Sequence, residues 1–251
     1  MLVMGILNVT PDSFADGGKH NDFESAVARG LQMIAEGVDI IDIGGESTRP
    51  GADRVSEAEE IARTIPVIKE LAKHGVKISI DTMRATTAEA AIKAGASIIN
   101  DVSGGLADPL MLQTTARLKV PYISMHWRGQ SKDMNSKAIY GDVVSDVISE
   151  LQERIDAALD AGISRDNLII DPGLGFAKDA DHNWAIIDAI DQFVGMGYPV
   201  LVGASRKRFL GGDSPDEREQ ATINLTKRLA PTGVWAVRVH SVKPHKEVLS
   251  A

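Results

Sequence analysis

Cysteine is absent from the 251 residues, which excludes disulfides, thiolate metal sites and cysteine nucleophiles together. Basic residues are in deficit: 27 Lys and Arg stand against 35 Asp and Glu, a formal net charge of −8. That sign argues against a nucleic-acid partner, whose phosphates need a basic surface. An anionic ligand would have to be held by a few local cations or by a metal. No apolar run approaches membrane-spanning length, and the opening Met1-Leu-Val-Met-Gly5 lacks the basic and apolar regions of a secretion signal. A cytoplasmic protein, with no membrane partner, is the expectation. Linkers and low-complexity tracts are missing too, so residues 1–251 are expected to form a single domain, of the usual size for one (β/α)8 barrel.

What is present is one event repeated. Met4-Gly-Ile-Leu7 is apolar, reaches Asn8, and breaks into the polar, proline-containing Val9-Thr-Pro-Asp-Ser-Phe14. Ile40-Ile-Asp42 opens into Gly44-Gly-Glu-Ser-Thr-Arg-Pro-Gly51, Ile78-Ser-Ile-Asp81 into Thr82-Met-Arg84, and Ile98-Ile-Asn-Asp101 into Val102-Ser-Gly-Gly105. Tyr122-Ile-Ser-Met-His126, Leu168-Ile-Ile-Asp171, Val200-Leu-Val-Gly203 and Trp235-Ala-Val-Arg-Val-His240 complete eight such runs. Short buried strands that end in functional groups are the unit of a parallel α/β sheet, whose ligands sit at the strands' carboxyl ends. Helical patterns separate them: Phe23 to Glu36, Ser56 to about His74 with a capping box at Ser56-Glu-Ala-Glu59, Thr86 to Ala94, and Pro109 to Leu118. Asp142 to Ala161, His182 to Met196, Glu217 to Leu229 and Lys243 to Leu249 follow. Strict alternation over eight units predicts an α/β (β/α)8 TIM barrel, with a doubly wound open sheet as the alternative.

Asp81, Asn100 and Asp171 end three of these strands. A buried carboxylate is costly unless it meets donors, so three such groups facing one cavity suit a ligand rich in N–H donors, such as an amino-substituted heterocycle. The plainer reading of each is a helix N-cap. Arg49, Lys207, Arg238 and His240 are cations at strand ends, and Arg238 and His240, two apart on one strand, share a face. Beside Asn8, whose neutral oxygen suits Mg²⁺ carrying a diphosphate, they form a candidate anion site. Ser205 is expected to cap a short helical turn over Arg206 to Leu210, favouring an anion there. The Gly44 to Gly51 segment is neither a Walker loop nor a GxGxxG fingerprint; it can carry Thr48 and Arg49 over a ligand, with Asp42 and Glu46 orienting it. His126 reads as structural rather than as a ligand, and His20, His74, His182 and His245 as residues of loops or surface helices.

Met4-Gly-Ile-Leu-Asn-Val-Thr-Pro-Asp-Ser-Phe14 and Asp39-Ile-Ile-Asp-Ile-Gly-Gly-Glu-Ser-Thr-Arg-Pro-Gly51 closely resemble the two signatures of the dihydropteroate synthase family. The likeness continues in order through Ile80-Asp81, Ile99-Asn-Asp-Val-Ser103, Met125-His126, Asp171-Pro-Gly-Leu-Gly-Phe176, Ser205-Arg-Lys207 and Arg238-Val-His240. The resemblance implies a TIM barrel that joins 6-hydroxymethyl-7,8-dihydropterin diphosphate to 4-aminobenzoate, giving 7,8-dihydropteroate and diphosphate. It also implies Mg²⁺, sulfonamides as ligands, and an SN1-like displacement in which diphosphate leaves first.

By the same resemblance Asp81, Asn100, Asp171, Lys207 and Met125 would bind the pterin. Asn8, Thr48, Arg49, Arg238 and His240 would hold the diphosphate, with Asn8 also on the metal. Phe14, Thr48, Pro50, Phe176, Lys207 and Ser205 would shape the aminobenzoate pocket, with Asp12 on the first loop. Asp81, Lys207, Arg238 and His240 would be catalytic. The family has an aspartate after the final-strand histidine, where this chain has Ser241, and its closing helices contribute to a dimer interface, so a homodimer is expected although Lys243 to Leu249 is short. A pterin-binding barrel of a corrinoid methyltransferase system and a non-catalytic pterin binder are the competing readings. The presence together of Asn8, Arg49 and Lys207 weighs against a mere binder.

Overall fold

The computed structural model describes residues 1–9, 19–46, 55–129 and 134–250. Eight parallel strands run β1 (Leu2–Asn8), β2 (Ile40–Gly44), β3 (Lys77–Asp81), β4 (Ile98–Asp101), β5 (Tyr122–Met125), β6 (Leu168–Asp171), β7 (Leu201–Val202) and β8 (Ala236–Val239). They pair in the order β6-β5-β4-β3-β2-β1-β8-β7. A bridge between Ile170 and Val200 joins the two ends, so the sheet closes into the expected TIM barrel. The helices are α1 (Lys19–Ala35), α2 (Glu57–Ala72), α3 (Ala85–Ala94), α4 (Met111–Leu118), α5 (Val143–Asp160), α6 (Ala180–Asp188), α7 (Ile190–Gly195), α8 (Glu217–Leu229) and α9 (Lys243–Ser250). None is long and apolar enough to cross a membrane among the described residues.

The strands' period of two divides the interior into two cores. Val3, Leu7, Ile41, Ile43, Ile78, Ile80, Ile99, Ile170 and Val237 face outward and pack beneath the helices. Met4, Ile40, Ile98, Ile123, Ile169, Leu201 and Ala236 point inward and fill the barrel as a small apolar plug. Stepping two residues toward the carboxyl end keeps the same face, so Asp42, Asn100, Met125, Asp171 and Arg238 stand directly above Ile40, Ile98, Ile123, Ile169 and Ala236. Register places Asp81 beside Asn100 and Met125 beside Asp171. The apolar plug therefore floors a polar layer, which is where the site lies.

Local signals account for most helix ends. The Ser56 side chain accepts from Glu59 N, Asp142 caps α5 through Ser145 N, and α3 stops at Gly95 in the left-handed region (φ 119°). The continuous helix expected over His182 to Met196 is instead two, broken at Ala189 (φ −104°, ψ 23°). Ile186, Ile187, Ile190 and Phe193 are buried on both sides of the break. The apolar spacing runs through it, and periodicity alone does not reveal it. His245, expected on a surface helix, is fully buried and bonds Thr226 Oγ1 through Nδ1 at 2.8 Å.

Candidate active site

Asp42, Asp81, Asn100, Asp171 and Arg238 meet in one connected layer. Arg238 Nε donates to Asp42 Oδ2 at 2.6 Å and its Nη2 to Asp81 Oδ2 at 2.7 Å, crossing the barrel from β8 to β2 and β3. Asn100 Nδ2 donates to the same Asp42 oxygen at 3.0 Å, which leaves Asn100 Oδ1 turned away as an acceptor. The three aspartates are nearly inaccessible, at 0%, 7% and 6% for Asp42, Asp81 and Asp171. Burial pushes Asp81 up to about 7, against the pull of Arg238 and with a further push from Asp42. Asp171 is raised for the same first reason, although its Oδ1 accepts Gly173 N at 2.7 Å. Burial alone would lower the Arg238 guanidinium, but Asp42 and Asp81 reverse that and hold it firmly protonated.

Lys207 enters from the β7 side. Its Nζ donates to the Leu174 carbonyl and lies 4.6 Å from the centre of the Phe176 ring. The barrel wall drives its amine down to about 8, while Asp171 pulls upward. This approach depends on Gly175, at φ 75°, because a Cβ there would come within 2.7 Å of Lys207 Cδ. On the opposite side Asn8 ends β1 level with Gly44. A Cβ on Gly44 would lie 3.8 Å from Asn8 Oδ1 and 3.6 Å from Asp81 Oδ2, so the glycine keeps open the space between these oxygens.

His240 stands above Arg238. Its Nδ1 is 2.9 Å from Ser205 Oγ, and its backbone N–H donates to that oxygen at 3.2 Å. The Ser205 hydroxyl therefore ties the imidazole to the β7 side of the rim through Nδ1. Arg206, at φ 58°, donates through Nε to Glu219 at 2.6 Å and through Nη2 to Ser241 Oγ at 2.8 Å. The carboxylate facing Arg206 thus comes from α8, and Ser241 supplies a hydroxyl where the family pattern has an aspartate. At the other end of the barrel a depression of about 460 Å³ lies between Leu2, Asp39, His74 and Lys77. Asp39 there is taken up by Val3 N and Lys246, and no comparable polar layer forms among the described residues.

The profile of the family described as "Pterin binding enzyme" matches residues 4–240. The chain belongs to that family. Within it, the dihydropteroate synthase of Mycobacterium leprae is 49% identical, over 98% of this chain and 90% of the relative. A structure of Xanthomonas albilineans dihydropteroate synthase with 4-aminobenzoic acid matches with a TM-score of 0.93 at 43% identity, covering 99% of this chain and 90% of that one. A second from the same organism, in complex with 7,8-dihydropteroate, gives a TM-score of 0.90 at 40% identity, covering 99% and 91%. The activity of this pterin-binding enzyme is that of a dihydropteroate synthase, a transferase of folate biosynthesis.

For this pterin-binding enzyme the structure gathers Asn8, Asp81, Asn100, Met125, Asp171, Lys207, Arg238 and His240 at one rim, with Phe176 against Lys207. Asp12, Phe14, Thr48, Arg49 and Pro50 lie outside the described residues. The helix-cap reading of the strand-end groups fails: α3 and α4 begin at Arg84 and Leu110 without a side-chain cap, and α6 is capped by Asp179. Ser205 is not an N-cap either. The turn is a 3-10 segment, Arg208–Leu210, that starts at Lys207, and Ser205 is engaged with His240. Asp42, expected to orient the Gly44 to Gly51 segment, instead lies inside the barrel under Arg238. Its even position on β2, two beyond inward-facing Ile40, is the signal that identifies it. Glu46 does bind at the segment's edge, to Arg84 Nη1 at 2.7 Å.

Proposed function

We propose that the rim residues divide the reaction between two substrates, 6-hydroxymethyl-7,8-dihydropterin diphosphate and 4-aminobenzoate. The observation that carries this division is the single layer in which Asp81, Asn100 and Asp171 face Arg238 and Lys207. Buried carboxylates with raised proton affinity are suited to the N–H edge of a pterin, while Lys207 and Asn100 Oδ1 offer a donor and an acceptor to its remaining polar atoms. Arg238 has Nη1 left for an anion, and His240, held through Nδ1 by Ser205, stands beside it on the same face. The C–O bond to diphosphate breaks first and the diphosphate takes the electron pair. Asp81 and Asp171 stabilise the positive charge that spreads over the pterin. The amine of 4-aminobenzoate then forms the C–N bond and gives its proton to solvent, so no strong base is needed. Phe176, the Lys207 stem and the Ser205 region line the second pocket, to which Phe14, Thr48, Pro50 and Arg49 are assigned by family likeness.

Mg²⁺ fits this donor set. Among the described residues no group of three or more His, Asp or Glu forms a protein cage for a metal, and Mg²⁺ characteristically takes one or two protein oxygens, substrate phosphates and waters. Asn8 Oδ1, beside the space kept by Gly44, would be the protein ligand. When bound, the ion supplies charge to the leaving diphosphate oxygens. The same reading makes the chain, 1–251, one barrel domain that acts in the cytoplasm as a homodimer. The test is turnover with both substrates, with and without chelator, combined with ¹⁸O in the bridging C–O–P position. Scrambling of the label before 4-aminobenzoate is added supports departure of diphosphate first; turnover without scrambling refutes the SN1 order.

A further inference from the structure

Lys178 is a buried amine outside the substrate layer, pushed down by burial to about 7 while Asp171 pulls upward. It follows the loop between β6 and α6, Pro172 to Ala177, and its side chain turns back beneath that loop with 8% of its surface accessible. Nζ donates to the Gly173 and Phe176 carbonyls at 3.1 Å each and meets His126 Nδ1 at 2.9 Å. An ammonium has three hydrogens, and here each has an acceptor. His126 Nε2 is 2.9 Å from Glu150 Oε2, and Glu150 is fixed by Arg128. Burial and the neighbouring Lys178 push His126 down to about 4, so a neutral ring donates from Nε2 to Glu150 and accepts at Nδ1.

The loop above is conformationally unusual. Gly173 and Gly175 have φ of 68° and 75°, and Ala177, which is not glycine, has φ 47°. Such backbone persists only where the surroundings over-determine it. Besides Lys178, Tyr140 OH donates to Ala177 O at 2.9 Å, and Asn183 Oδ1 accepts Gly175 N at 2.6 Å. The loop presents inward the Leu174 carbonyl and the Phe176 ring, the two groups that hold Lys207.

We infer that Lys178 is a positioning residue for the second substrate: its ammonium fastens the β6–α6 loop to the end of β5 through His126 and thereby sets Phe176 and the head of Lys207. The inference rests on the assignment of Phe176 and Lys207 to the aminobenzoate pocket. Lys178→Met removes the three hydrogen bonds and keeps most of the volume. KM for 4-aminobenzoate is expected to rise at least tenfold. The dissociation constant for the pterin diphosphate should change less than threefold, because Asp81, Asn100 and Asp171 are untouched. Equal loss for both substrates, or a lower Tm with both constants unchanged, would overturn it.

Should that variant not fold, His126→Asn and His126→Leu carry the same test. Asparagine retains an acceptor near the place of Nδ1 and is expected to stay within threefold of the parent in aminobenzoate KM, whereas leucine raises it tenfold; equal values for the two overturn the inference. Phe176→Ala separates the two readings. A raised aminobenzoate KM in Phe176→Ala with none in Lys178→Met refutes the role of Lys178 alone. An unchanged KM in Phe176→Ala refutes the pocket assignment.

Discussion

Asp81 shares one arginine with Asp42, but burial is what governs its protonation first. Because burial and Asp42 raise its carboxyl to about 7, the free enzyme holds a proton there at pH 6. If a pterin donating N–H groups binds the ionised form, binding at pH 6 should release up to one proton, and affinity should rise with pH until about 7 and fall again as Lys207, at about 8, loses its proton. Calorimetry in two buffers of different ionisation enthalpy checks this, and Asp81→Asn should reduce the buffer dependence, leaving only what Asp171 contributes. Replacing Asp81 by Asn or Lys207 by Ala removes charge from the reacting layer. Either should lower kcat/KM more than a hundredfold, about 3 kcal/mol of transition-state stabilisation; a change below threefold would place the pterin elsewhere.

At this scale the sequence was legible where chemistry coincides with a strand's end. Asn8, Asp81, Asn100 and Asp171 each stand at the end of an apolar run and Arg238 interrupts one, and parity fixes which way each points. Asp42 carries a weaker signal because glycines and charges follow it at once, and its partners Asn100 and Arg238 lie 58 and 196 residues away. Lys178 carries no local signal, since its three acceptors come from a folded loop and a separate strand.

The βα elements convert these residues into a site, and the loop after β6 shows how narrow the tolerance is. Gly175→Ala must place a Cβ 2.7 Å from Lys207 Cδ in a left-handed backbone. The backbone strain alone is about 1 kcal/mol, and displacement of Lys207 should add a loss of activity. The expected outcome is a Tm several degrees lower together with a kcat/KM reduced at least tenfold; thermal denaturation and steady-state kinetics report the two separately. Alternation of apolar runs disclosed all eight strands and most helices. Element boundaries that tertiary packing decides are not legible: the break at Ala189 occurs where the apolar pattern continues unbroken.

Across the whole molecule the barrel is fastened unevenly. β1 pairs with β2 along five residues, whereas β7 meets β6 through one bridge, Ile170 to Val200, with Ile170 N donating to Pro199 O at 2.9 Å. Amide hydrogen exchange should accordingly be faster at Val200 to Val202 than at Met4 to Leu7 in the free enzyme. On the proposed reading a pterin ligand bridges Asp171 and Lys207, and its addition should slow the former selectively. Uniform protection in both states would contradict this picture.

If the proposed assignment holds, the ring's weakest joint lies between two residues that grasp the same guest, and that guest would latch it. Departure of product and relaxation of the staves beside it would then be a single event. A substitution that stitched β6 to β7 permanently would be expected to give a hardier enzyme that lets go of its product more slowly.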